Sequence, residues 1–138
     1  MFFKKKDNVE ENKYLVKIAA LLIHAAKIDE NYSTIEEKII KQTLIEIGAE
    51  NKNIDELIED AKKLEANNNQ ILEFTREVKN MDETNKIKIV ETLWRIIYSN
   101  KEADMFETNL MRRLEGLLYI DRKVMGNLKD KIKRENQK

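Results

Sequence analysis

The chain has no cysteine, no proline, three glycines and one histidine among its 138 residues. Without cysteine there are no disulfides, thiolate metal ligands or cysteine nucleophiles. With His24 alone, neither a paired-histidine metal site nor a second histidine ligand can be assembled. No proline interrupts a helix, and glycine occurs only at 48, 116 and 126. An excess of one charge is missing too: 26 Lys and Arg balance 26 Asp and Glu, so no net field draws the protein to nucleic acid or an anionic membrane. Met1-Phe2-Phe3 runs straight into Lys4-Lys5-Lys6, and no apolar stretch reaches signal-peptide or membrane-span length. A cytoplasmic protein is expected. Phosphate loops, nucleophile elbows and dinucleotide fingerprints are also absent, which points away from an enzyme.

Leu, Ile, Lys and Glu recur along the whole chain, and their spacing predicts an all-α fold of about seven helices in one domain, 1–138, with frayed ends at 1–8 and 133–138. Leu15, Ile18, Ala19, Leu22, Ile23 and Ala26 form one apolar stripe on a helix over 9–28. Ser33-Thr34-Ile35-Glu36 reads as a capping box opening a helix over 34–47, with Ile39, Ile40, Leu44 and Ile47 inward and Gly48 as a left-handed stop. Asn53 is expected to cap a third helix carrying Ile54, Leu57, Ile58, Ala61 and Leu64. A short fourth helix over 70–80 turns Ile71, Phe74 or Thr75, and Val78 inward. The fifth, 83–99, places Val90, Leu93, Trp94 and Ile97 on one face, and Asp104-Met105-Phe106-Glu107 opens the sixth. The last starts near Asp121 and uses Val124, Leu128 and Ile132.

A shift of 71 residues lays the first hairpin, about 9–48, on the hairpin at 83–118 without a gap: Ala19 on Val90, Leu22 on Leu93, Ile23 on Trp94, Ala26 on Ile97, Ile40 on Met111. The polar turns follow, Asp29 over Asn100 and Glu36 over Glu107. Chance agreement between amphipathic helices does not bring turn, acid and cap into one register. The duplicated hairpin puts Trp94 in the core, between the two copies.

The stretches Ala25-Ala26-Lys27-Ile28-Asp29-Glu30 through Glu36, and Leu93-Trp94-Arg95-Ile96-Ile97-Tyr98-Ser99-Asn100-Lys101-Glu102 through Glu107, resemble the TerB (tellurite-resistance) family. Its members show a helix ending in Ala-x-Ala-Asp-Gly and a glutamate seven residues past the aspartate, often twice. The resemblance covers about 13–125. It departs from the family where Glu30 and Lys101 replace glycine, Asn100 replaces the second aspartate and Tyr119 stands where the first copy has Gly48. It implies a compact helical module linked to tellurite or envelope stress, acting through a protein partner and not through a reaction.

Glu36 and Glu107 have two readings. Each carboxylate satisfies free amides at a helix start, or, with Asp29 and Asn100, supplies hard oxygens to Ca²⁺ or Mg²⁺. Asp29-x-Asn31-x-Ser33 follows the opening of an EF-hand loop, but Thr34 stands where that loop needs glycine and Ile40 where it needs the bidentate glutamate. His24 reads as a helix-boundary residue, and Trp94 and Phe106 as core. From Arg122 onward seven basic residues face two acids around an apolar face, which suits a closing helix, a partner helix or peripheral membrane association.

Overall fold

The structure, a computed structural model, describes residues 2–28, 33–67, 71–99 and 105–136, with side chains from 13 in the first segment and over 107–135 in the last. Seven α-helices make up nearly all of it: α1 (Phe2–Lys27), α2 (Thr34–Glu46), α3 (Ile54–Ala66), α4 (Leu72–Lys79), α5 (Glu83–Tyr98), α6 (Met105–Leu117) and α7 (Arg122–Asn136), with a 3-10 turn at Asn51–Asn53. No strand occurs among the described residues. α1 begins at Phe2, ahead of the expected 9, and α7 runs on to Asn136, into the expected fraying tail; no proline or glycine stands in either stretch to stop a helix.

α1 is the axis of the domain, packed by α2, α3, α4 and α5. Ile18 to Ile23 are each at most 1% exposed. Six consecutive residues exceed one helical turn, so α1 is enclosed on every side here, not along the single stripe its sequence suggested. α5 packs on α1, α2 and α7. It buries Ile89, Val90, Thr92, Leu93, Trp94, Ile96, Ile97 and Tyr98 while Glu91 and Arg95, four apart, pair at 3.4 Å on the outer side. A buried hydrogen bond of 2.8 Å joins the Thr43 and Thr92 hydroxyls across α2 and α5.

The repeat is visible in hydrogen bonds as well as burial. α2 ends in a Schellman motif, with the Ala49 amide donating to the Leu44 carbonyl at 2.8 Å and the Gly48 amide to Ile45 at 3.2 Å. α6 ends in the same motif 71 residues later: Ile120 donates to Glu115 at 3.1 Å and Tyr119 to Gly116 at 3.3 Å. Gly48 sits at φ 126° and Tyr119 at φ 56°, both at positive φ. The register also continues past the hairpins, because Ile54, Leu57 and Ala61 of α3 fall on Met125, Leu128 and Ile132 of α7, all six buried. Each half is therefore three helices, with α3 packed on α1 as α7 is on α5.

Two local expectations are corrected. Asn53 occupies the N-cap position of α3 but makes no capping bond, because the preceding 3-10 turn holds it at φ −108°, ψ 2°, outside the extended geometry a cap needs. Its side-chain Nδ2 donates to the Glu50 carboxylate at 3.3 Å instead. On α7 the inward residue is Met125, and Val124 is exposed. Both lie within one turn of Leu128, and Met125 is the one that α5 covers, its sulfur accepting the Trp94 indole N–H.

Candidate metal centre

Glu36 is the third residue of α2. The Ser33 amide donates to its carboxylate at 2.9 Å and its own amide donates to the Ser33 hydroxyl at 3.2 Å, completing the expected capping box. Glu107 holds the equivalent place in α6. The two are 1% and 3% exposed, so each helix start carries a buried carboxylate on the inner side. Burying a carboxylate is costly unless hydrogen bonds, opposite charge or a metal offsets it. Burial and the negative charges of Asp130 and Glu107 push the Tyr98 hydroxyl up, which places Glu107 in the electrostatic neighbourhood of the α5 C-terminus.

Asp29 and Asn100, the other two candidate ligands, lie outside the described residues, as does Asp104. Among the described residues no group of three or more His, Cys, Asp and Glu side chains is placed to hold a metal ion. The structure thus buries the two glutamates of the set, each at the start of its helix.

His24 lies on the flank of α1, its Nδ1 3.2 Å from Glu65 of α3, and Lys27 pairs with the same carboxylate at 2.7 Å. Burial pushes the Glu65 carboxyl up, but hydrogen bonds from Lys27 and His24 outweigh it and hold the group below its ordinary value. The equivalent of His24 is Arg95, which pairs with Glu135 of α7 at 3.2 Å. The boundary histidine is thus half of a repeated tie between the first and third helix of each copy. Trp94 is 3% exposed, and its partners sit on α7 and its own helix more than between the hairpins. Its indole N–H donates to the Met125 sulfur at 3.3 Å, Tyr98 stacks at 5.9 Å and the Lys129 ammonium lies 5.6 Å from the ring centroid. Phe106 is outside the residues whose side chains are described. Met125 was missed in the sequence, although the 71-residue shift sets it on Ile54 and signals its burial.

A three-helix unit used twice, with a buried glutamate opening the second helix of each copy, defines an all-α class of duplicated helical modules. The sequence model described as tellurite resistance protein TerB matches residues 15–130. The chain belongs to the TerB family. Comparison with curated proteins gives no match, and comparison with solved structures gives none. No helix among the described residues is long and apolar enough to cross a membrane.

Proposed function

We propose that this chain is a non-enzymatic interaction and regulatory module of a tellurite or envelope-stress system, working in the cytoplasm through a protein partner. Membership of the TerB family over residues 15–130 carries the reading. The burial of α7 supports a soluble module over a membrane-lying one: Leu128 and Ile132 are packed into the body, so the face that would enter a lipid surface is already used. The test is deletion of the gene in its host, with survival on tellurite and under cell-wall stress scored with and without complementation. Unchanged survival in every condition removes the stress assignment.

A second reading is favoured by one observation, the matched burial of Glu36 and Glu107 at equivalent positions. It is a Ca²⁺- or Mg²⁺-binding protein in which Asp29, Glu36, Asn100 and Glu107 supply hard oxygen ligands. On this reading the two polar turns face each other, and a cation offsets the repulsion among the carboxylates that meet there and stabilises the fold. At a hundred times its dissociation constant it adds roughly 2.7 kcal/mol, well within reach of a melting curve. We expect a higher melting temperature in millimolar Ca²⁺ or Mg²⁺ than in chelator, and a smaller difference for Asp29→Ala. No cation-dependent shift in the wild type leaves the glutamates as helix caps alone.

A further inference from the structure

The seam between the second and third helix is bridged by an ion pair in one copy and lined by a groove in the other. In the first copy, Lys41 of α2 reaches Asp55 of α3 at 2.8 Å across the surface, and Ile58 of α3 is buried, 2% exposed. Seventy-one residues on, the same positions are Arg112, Gly126 and Lys129. Glycine stands where the first copy has its carboxylate, and a cation stands where it has an isoleucine. The result is a groove of about 390 Å³ between α6 and α7, floored by Trp94, Met111 and Met125 and edged by Arg112, Arg122 and Lys129.

Three features say what fits there. Among the described residues the edge carries three cations against one carboxylate, Glu115, which Arg122 approaches at 3.4 Å while remaining 88% exposed, so that pair is readily exchanged. The floor is apolar, and two of the chain's five methionines lie in it, side chains that adjust to varied partners. Lys129, lying over the Trp94 ring, is a flexible cover whose displacement uncovers an aromatic face. A simple inorganic anion leaves the floor unused, and a neutral apolar ligand leaves the edge unused.

We propose that this groove docks an acidic segment of a partner protein, which seats one apolar side chain on the Trp94–Met111–Met125 floor and supplies to Arg112 the carboxylate that Asp55 supplies to Lys41 in the first copy. The inference rests on the reading of the chain as an interaction module and names the chemistry of its partner. Two substitutions reach into the groove from a position where an added Cβ meets nothing within 4 Å. Gly126→Asp restores the carboxylate of the first copy, and Gly126→Leu fills the space.

The probe is a labelled peptide of glutamates around a central leucine, titrated into the full chain by fluorescence anisotropy while the emission of Trp94, the sole tryptophan, is followed. A peptide with lysine for glutamate and phosphatidylglycerol vesicles serve as the other arms. We expect the acidic peptide to bind and shift the Trp94 emission, the lysine peptide not to bind, and Gly126→Asp, Gly126→Leu and Arg112→Glu each to weaken binding by about tenfold or more, the Gly126 variants melting no lower than the wild type because glycine is the weaker helix former. Absent binding, equal binding by the Gly126 variants, or a Trp94 response to vesicles alone overturns the proposal. A stress phenotype on deletion, found together with any of these, removes the groove and leaves the module reading standing.

Discussion

In the first half of the molecule α1 is enclosed on all sides from Ile18 to Ile23, while in the second half α5 carries the partly buried Glu91 at the position of Ala20 and turns Trp94 toward α7. Both halves nevertheless end their second helix with the same Schellman hydrogen bonds and open it with a buried glutamate. Backbone-level devices such as caps and turn bonds have survived duplication, because they depend on a few local groups. Burial has diverged, because it depends on what each copy packs against. α1 is also covered by α4, so small residues such as Ala19 and Ala20 suffice around it. On α5, which packs on α7, a large ring replaces Ile23.

The comparison breaks most visibly at Trp94. Trp94→Ala should cost about 3–5 kcal/mol, read from urea denaturation, because it leaves a cavity between α5 and α7 and deprives Met125 and Tyr98 of their partner. A loss below about 1 kcal/mol would mean that α7 docks independently of the ring.

The next effect is at the turn. Gly48, at φ 126°, lies where a side chain is strained, so Gly48→Ala should destabilise by about 1–2 kcal/mol. No loss there would show that the first Schellman turn relaxes at little cost, and the two turns would then not be comparable.

The acidic limb of stability sharpens the tie between α1 and α3. The Glu65 carboxyl is held below its ordinary value, so its contribution is present above the unfolded-state pKa and disappears as pH falls through the lower folded one. The melting temperature should therefore drop on the acid side of the carboxylate range, and less so in Glu65→Gln. An identical acid profile for that variant places the loss elsewhere.

Most of the fold could be read from spacing, since Leu22, Ile23, Leu93, Trp94 and Ile40 are all buried as their periodicity implies, although the partners of Trp94 lie on α7 and its own helix. What spacing could not show was tertiary. Leu21 and Ala20 lie off the apolar stripe of α1 and are buried only because α2 to α5 surround it. Met125 and Val124 are neighbours with equally good claims to an apolar face, and only the repeat register, or α5 itself, separates them. The capping role of Glu36 was legible because Ser33 lies three residues earlier. Its near-complete burial was not, since exposure depends on helices distant in sequence.

The smallest effect is the most informative about how the copies diverged. Tyr119 occupies the left-handed position with φ 56°, is 72% exposed and has the Lys79 ammonium 4.2 Å from its ring centroid. Tyrosine in this conformation is strained by roughly 1–2 kcal/mol, which glycine would relieve. Glycine also loosens the unfolded chain by about 0.5–1 kcal/mol and gives up a cation–π contact of about 0.5–1 kcal/mol. These terms nearly cancel, so Tyr119→Gly alone should change stability by less than about 0.5 kcal/mol, unlike Gly48→Ala. In a Lys79→Met background the contact is already gone, and Tyr119→Gly should then stabilise by about 0.5 kcal/mol. If it destabilises there instead, strain at Tyr119 is not what distinguishes the two turns, and packing around the ring is holding the second copy together.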